Sequence, residues 1–577
     1  MDTDLESIQE ARRLLTAAHD AWKTFAEFSA DQVDRILAEI SKTAIENAET
    51  LARMAVEETG FGTVEHKTAK NLFCADNVYQ AIRPLKTVGI VREDAAKKVL
   101  EVASPVGVIA GIIPSTNPTS TTIYKALIAL KGRNAIVFSP HPSAVGCISE
   151  TARIIAEAAQ RAGAPAGVVA CMRTPSMEGT QELMKNRRTA VILATGGPGL
   201  VRAAYSAGKP AFGVGPGNVP AYIERSADVP RAVGHILTGK CFDNGTLCSS
   251  EQSVICDEEI KDLVLEELGK QGAYICGPED KVRLERTIQS PLQTLNTKIV
   301  GQSAMRIAEM AGITVPAGTR ALVGIADGVG RDHPLSMEKL SPVLAFYTVR
   351  DWKEGCQKCI DILNFGGLGH TLGLHSNDDQ VIREFALHKP ASRICVNTPA
   401  ALGAVGYTTN LFPAMTLGCG SFGGNITSDN ISPLHLINLK RVAFGVREVE
   451  PVPPKEPAPR RTPPPQPSVN GGQNRELIAG IVDQWLEKKN TSTPVAVRAN
   501  EPVAGPSAPP LESFKHLEAP ARHEESDESP QPVPFVCEDD VRKAASANGS
   551  IPVGTKTIIT PSARDLGNAL DIFITID

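Results

Sequence analysis

The stretch Gly107–Ile223 constrains the fold most, because short apolar runs alternate there with helix-length amphipathic segments. Gly107–Ile113, Asn134–Phe138, Val168–Cys171 and Ala190–Ala194 read as strands. Ile148–Ala162, which Gly163 would end, and Met177–Lys185 read as helices between them. Strands this apolar cannot keep one face in water, so the alternation implies a parallel sheet with helices on both sides. Ligands bind such sheets outside the carboxyl ends of the strands. The loops after those runs are therefore where chemistry is expected. A second α/β stretch runs from about Pro220 to Phe412, and the fold class expected is α/β.

The flanks differ. Residues 1–80 place apolar positions at helical spacing, as in Val33-Asp34-Arg35-Ile36-Leu37-Ala38-Glu39-Ile40. Thr87–Val91 and Lys98–Val102 flank a polar turn and read as a β-hairpin. Composition changes abruptly near Arg447: of 42 prolines, 18 lie between Pro451 and Pro534. Such a segment buries too little apolar surface to offset its ordering entropy and reads as an extended linker. Within it, Asn474–Lys489 places Leu477, Ile478, Ile481, Val482, Trp485 and Leu486 on one face of a helix. At about four turns that helix is marginal alone and is expected to fold against a partner. Phe535–Asp577 reads as helix, strand, helix, strand.

Several classes are excluded. With 59 Lys+Arg against 65 Asp+Glu the net charge is -6, which supplies no field to attract phosphate backbones. No run approaches the ~20 apolar residues of a membrane helix, and the charged start MDTDLESIQEARR lacks a signal peptide's apolar core. Twelve cysteines scattered through apolar runs suit a reducing compartment, so a cytoplasmic location is expected. His370 and His375 lack the company a metal site needs, and no metal is expected. Cys356 and Cys359 are spaced like a redox pair but fall in a helical pattern, and Cys241 reads as a core thiol.

Three loops carry candidate chemistry. Asn244-Gly245-Thr246-Leu247-Cys248-Ser249-Ser250 presents a cysteine among small neighbours, as a nucleophile needs, although a buried core thiol fits the same pattern. Ile112–Thr121 follows the first sheet strand and contains Asn117. Ala194-Thr195-Gly196-Gly197-Pro198-Gly199 opens a helix whose N-terminus can receive a phosphate, without the usual GxGxxG spacing.

Taken in order over residues 1–445, these loops resemble the aldehyde dehydrogenase superfamily. The resemblance places the catalytic cysteine at Cys248 and the oxyanion asparagine at Asn117. It matches Thr195, Gly196 and Gly197 to the start of the dinucleotide helix. Glu338-Lys339-Leu340-Ser341-Pro342 matches the segment whose glutamate holds the nicotinamide ribose, with Leu340 beside it. Ser139, Pro140 and His141 fall at the adenosine, where Ser139 replaces a lysine that accepts a 2′-phosphate and so favours NAD over NADP. Gly213 and Gly215 lie in Phe212-Gly213-Val214-Gly215-Pro216-Gly217-Asn218, where hydrolytic members carry Glu-Leu-Gly-Gly-Lys. Gly213 occupies the place of their general base, and a glycine cannot activate water. The resemblance is thus to the CoA-acylating members, with the small residue also opening room for an incoming thiol.

That resemblance implies an NAD-binding domain over 1–219, including an oligomerisation hairpin at about 87–102. A catalytic domain over 220–415 and a return segment over 416–447 would follow, and Leu434–Phe444 resembles the strand through which members form dimers and tetramers. It implies a short-chain aldehyde, propionaldehyde before acetaldehyde, with CoA as acyl acceptor. The linker 448–534 with its helix 474–489 resembles the encapsulation peptides that direct enzymes to shell proteins in a bacterial microcompartment lumen, and 535–577 has no assigned role. The rivals are a hydrolytic aldehyde dehydrogenase and a shell-interaction or scaffold protein with an idle catalytic domain.

Overall fold

A computed structural model describes residues 3–449, 479–484 and, with interruptions, 533–575. Two compact units, 1–452 and 453–577, are separate bodies and are described one at a time.

The first unit opens with four helices, α1 (Thr3–Phe25), α2 (Ala30–Glu46), α3 (Ala48–Thr59) and α4 (Val64–Leu72). Their limits are chemical. Ser29 and Gln32 form a reciprocal capping box at the start of α2, Gly60 ends α3 at φ 69°, and the Thr63 side chain accepts the His66 N–H at the start of α4. Beyond Leu72 the helix loosens into a π-helical turn, Phe73–Val78, a local widening often found beside functional sites.

The expected parallel sheet has five strands, β3 (Val108–Ile113), β4 (Ala135–Pro140), β5 (Val169–Cys171), β6 (Thr189–Thr195) and β7 (Ala211–Val214), in the order β5-β4-β3-β6-β7. Every residue of β3 and β4 is buried, as a sheet covered on both faces requires. Each fully buried Val, Ile or Leu there contributes about 1.5–3 kcal/mol. The strand order reverses at β3, so a crevice opens between the carboxyl ends of β3 and β6. Lys125, fully buried, bridges that point: its Nζ donates to Ile112 O (2.7 Å) and Leu193 O (2.9 Å), and burial pushes its pKa far down.

A second parallel sheet has seven strands: β8 (Val219–Ile223), β9 (Glu251–Asp257), β10 (Ala273–Ile275), β11 (Ala321–Ile325), β12 (Val343–Val349), β13 (Gly369–His375) and β14 (Ala391–Val396). Their order is β10-β11-β12-β9-β8-β13-β14, with a separate hydrophobic cluster on each face. The expected hairpin is β1 (Gly89–Asp94) with β2 (Val99–Pro105). A third antiparallel strand, β15 (Ile437–Ala443), joins β2 from the far end of the unit. Asn134 ties this return to the first sheet: Oδ1 accepts the N–H groups of Val106 (2.8 Å) and Gly107 (3.0 Å), while Nδ2 donates to Leu436 O (2.8 Å).

In the second unit, 479–484 is helical and exposed, which covers part of the expected helix 474–489; the remainder, like most of 448–534, lies outside the described residues. The C-terminal segment has two short strands beyond those the sequence pattern shows. It begins with a strand, β16 (Phe535–Val536), followed by a helix (Glu538–Ser546), two strands, β17 (Ile551–Val553) and β18 (Ile558–Ile559), helical residues at 563–564 and 566–567, and a last strand, β19 (Phe573–Thr575). β16 pairs with β18 and β17 with β19, both parallel. Strands of two or three residues are too short for an alternation to register, which is why the pattern shows two strands here and not four.

Candidate active site

A cavity of about 520 Å³ lies at the carboxyl ends of β3, β4, β6 and β7 and reaches the loop that precedes β9. It gathers Asn117, Ser139, Pro140, His141, Thr195, Gly196, Gly197, Gly215, Cys248, Glu338 and Leu340. Residues over two hundred positions apart in sequence thus share one chamber. Gly213 is the exception and does not line it. A Cβ on Gly213 would stand 2.9 Å from Val201 Cγ1 and 3.0 Å from Tyr205 Cε2, and Tyr205 Oη accepts the Gly213 N–H at 3.1 Å. The room expected beside this glycine for an incoming thiol is filled by Tyr205.

Cys248 is delivered by an unusual turn. After the helix Val229–Cys241, Asp243 (φ 49°), Asn244 (φ 53°) and Gly245 (φ 75°) adopt left-handed backbone in succession. Asp and Asn are among the few non-glycine residues that tolerate this. The Asp243 carboxylate holds the turn shut, accepting the Thr63 N–H (2.9 Å), the Thr246 hydroxyl (2.6 Å), Lys67 Nζ (3.0 Å) and Lys70 Nζ. Burial pushes the Asp243 carboxyl up, but Lys70 and Lys67 outweigh it and hold it below the usual range. On the other side, Gly217 packs so closely that a Cβ there would stand 1.7 Å from Cys248 O. Leu340, also left-handed at φ 46°, completes the wall.

Burial raises the Cys248 thiol to about 12, with Glu338 and Cys419 adding to the rise and Arg393 opposing it. The thiol is therefore protonated in the free protein. Glu338 Oε1 accepts the Gly217 N–H at 2.8 Å, and burial raises its carboxyl. His370 is fully buried, and burial together with Arg393 pushes its pKa well down, leaving a neutral imidazole. Its Nδ1 bonds Thr371 Oγ1 (2.9 Å) and lies 3.3 Å from where a Cβ on Gly217 would stand, while Nε2 has no protein partner. Arg393 donates to His370 O (3.0 Å), Gly418 O (2.7 Å) and Ser428 O (3.0 Å), bracing β14 against the following loops.

Asn117 precedes the helix Pro118–Lys131. Its Nδ2 donates to Thr116 Oγ1 and Thr246 O, both at 3.2 Å, and its Oδ1 accepts from Lys70 Nζ at 2.5 Å. Burial lowers Lys70 to about 8 against the opposing pull of Asp243.

The far end of the cavity fits a dinucleotide. The helix Pro198–Tyr205 starts at Gly197 with no side-chain cap, so its first N–H groups remain available to phosphate. Cβ positions on Gly197 and Gly199 meet nothing within 4 Å, and the Thr195 hydroxyl has no protein partner. Ser139 is less free than expected, since its hydroxyl is bonded to Thr180 Oγ1 at 2.8 Å. His141 caps the turn Pro142–Ala144. Among the described residues, no group of three or more His, Cys, Asp or Glu is placed to hold a metal ion. No helix among them is long and apolar enough to cross a membrane.

Known proteins share the fold that carries this cavity. The model of the aldehyde dehydrogenase family matches residues 3–408. The chain belongs to that family. Among aldehyde dehydrogenases of known structure, an acetylating aldehyde dehydrogenase from Geobacillus thermoglucosidasius is 54% identical, with a TM-score of 0.77 over 78% of this chain and 99% of that one. A propionaldehyde dehydrogenase from the Clostridium phytofermentans fucose utilisation bacterial microcompartment is 30% identical, with a TM-score of 0.68 over 75% and 97%. The bifunctional aldehyde-alcohol dehydrogenase of Escherichia coli is 43% identical over 443 residues, 76% of this chain and 50% of that protein. The chain thus spans about half the length of the first curated relatives it matches. The acetylating succinate-semialdehyde dehydrogenase of Clostridium kluyveri is 37% identical over 76% of this chain and 96% of that protein.

Sequence reasoning missed three residues around this site, Lys70, Asp243 and His370, whereas Arg393 falls in Arg393–Pro399, which with Gly418–Gly424 resembles the family loops near the active-site mouth. Asp243 alone left a trace, in the turn-forming Asp243-Asn244-Gly245.

Proposed function

We propose that this chain is a CoA-acylating aldehyde dehydrogenase that converts a short-chain aldehyde, CoA and NAD to acyl-CoA and NADH. The observation that carries this reading is at Gly213. Where hydrolytic members hold their glutamate base, this chain has no side chain, and Tyr205 fills the adjoining space. Cys248, as thiolate, attacks the aldehyde carbon to give a thiohemiacetal. The oxyanion is received by Asn117 Nδ2 and the Cys248 N–H, each such donor being worth about 2.7–4 kcal/mol in the transition state. Thr195, Gly196, Gly197 and Glu338 would hold NAD, which when bound supplies the hydride acceptor. The acyl group on Cys248 then passes to CoA, and the thioester energy is retained.

A hydrolytic reading keeps one supporting feature: Glu338 is a carboxylate near Cys248 whose pKa is raised by burial. The deciding experiment is NADH formation by purified protein with and without CoA, using acetaldehyde and propionaldehyde, with Cys248→Ala as control. Strong CoA dependence, lost in Cys248→Ala, is expected; equal rates without CoA would overturn the reading.

The finer assignments belong to the same proposal. The 54% identity to an acetylating enzyme favours acetaldehyde as the first substrate to test, with propionaldehyde supported by the microcompartment relative. That relative also supports a microcompartment location, with 474–489 meeting shell proteins. The edge strand β15, with Leu439 and Val442 exposed, is the surface proposed for pairing into dimers or tetramers.

A further inference from the structure

Behind the Asn117 amide lies a buried charged cluster that the mechanism above does not use. Lys67 and Lys70, three residues apart on α4, both reach Asp243, and all three side chains are at most 4% exposed. Lys67 Nζ also donates to Thr116 O at 3.0 Å, fixing the residue that precedes Asn117. Lys70 Nζ donates to Asn117 Oδ1 at 2.5 Å and lies 3.4 Å from Thr246 Oγ1. An ammonium has only donors, so the amide oxygen must face Lys70 and Nδ2 must face away from it. The two bonds Nδ2 then makes, at 3.2 Å to neutral oxygens, are long and readily exchanged for a developing oxyanion. One carboxylate also opposes two ammonium groups. His66, which accepts the Asp243 N–H, is lowered by burial, and Cys74 is raised by it, so neither cancels the excess positive charge.

Resting on the reading of Asn117 as the oxyanion donor, we propose that Lys70, anchored by Asp243, is a positioning residue for the aldehyde-oxygen site. It fixes which end of the Asn117 amide faces the reacting carbonyl. By drawing electron density toward Oδ1 it also makes Nδ2–H a stronger donor. Asp243 couples this to the nucleophile, because the same carboxylate closes the left-handed turn before Cys248.

The test is a double-mutant cycle on the full chain, with Lys70→Met, Asn117→Ala and the pair, read as kcat/KM for aldehyde at saturating NAD and CoA. Asn117→Ala is expected to lose about 10²–10³-fold. Lys70→Met is expected to lose about 10–100-fold, since it spoils the same donor without deleting it. The double variant should fall no further than Asn117→Ala. Cys248 alkylation by iodoacetamide and NAD affinity should stay within about twofold of wild type in Lys70→Met, which a disturbed fold would not allow. Lys70→Gln, a neutral donor, should recover part of the loss, and it carries the same cycle if Lys70→Met does not fold. A double variant showing the product of the two losses, or Lys70→Met with wild-type activity, would overturn the proposal alone. Wild-type protein without CoA-dependent NADH formation would overturn the functional reading and this proposal with it.

Discussion

Replacing Gly217 with alanine adds one methyl group at the tightest point of the site. The new Cβ would stand 1.7 Å from Cys248 O and 2.8 Å from Cys248 C. A relaxed carbon–oxygen contact is about 3.3 Å or more, so the nucleophile's own carbonyl has to retreat by roughly 1.5 Å. Gly217 is not in the left-handed region, so alanine meets no backbone penalty and the effect is steric. Overpacking of this kind costs about 1–3 kcal/mol of stability. Displacing a reacting group by about 1 Å costs on the order of 10²-fold in turnover. Gly217→Ala is therefore expected to lower kcat about a hundredfold, with a thermal midpoint only a few degrees down and NAD affinity preserved. The assay is the pre-steady-state NADH burst, which reads acylation of Cys248, alongside thermal unfolding. A burst rate within threefold of wild type would refute the claim that this contact sets the position of Cys248.

Three further outcomes follow from the geometry. Because burial raises the Cys248 thiol to about 12, its thiolate fraction grows tenfold per pH unit throughout the working range. Iodoacetamide alkylation of the free protein should climb about tenfold per unit from pH 7 to 9, and a plateau near the ordinary thiol value of about 8.5 would contradict this. Gly213→Glu should not install CoA-independent hydrolysis, since its Cβ already meets Val201 and Tyr205; it should lower stability by about 1–3 kcal/mol in urea, and acid production without CoA would count against the argument. Arg393→Met strips hydrogen bonds from the carbonyls of His370, Gly418 and Ser428, and should cost about 3 kcal/mol or more by the shift in urea midpoint, an unchanged midpoint being the contrary result.

The elements read most easily from sequence were those whose pattern has one physical cause. β3 and β4 are buried on both faces, so their apolar runs could hardly be anything else. The helix Met177–Lys185 falls where expected because Ser176 caps it and the apolar spacing is regular. Asn117, Thr195 and Cys248 were legible because each follows an apolar run or precedes one, and the sheet geometry brings those loops together. Lys70 was not legible. On a helix a lysine reads as solvent-facing, and the partner that keeps it buried, Asp243, lies 173 residues away. His370 was hidden in a wholly buried strand, where a histidine reads as one more core position. Gly213 was half legible: the missing carboxylate could be read, but the ring of Tyr205 in its place could not.

The three-stranded sheet has a consequence for how the protein is made. β1 and β2 emerge early, yet the strand that covers the open side of β2 begins only at Ile437, more than three hundred residues later. At about 5–20 residues per second, a ribosome needs roughly 20–70 s to supply it. Throughout that interval the nascent chain carries an unpaired edge rich in valine and leucine, a template for pairing with other chains. Folding of the first sheet can proceed during synthesis, but the open side of β2 stays uncovered until the last strand of the unit arrives, and the edge then passes to β15.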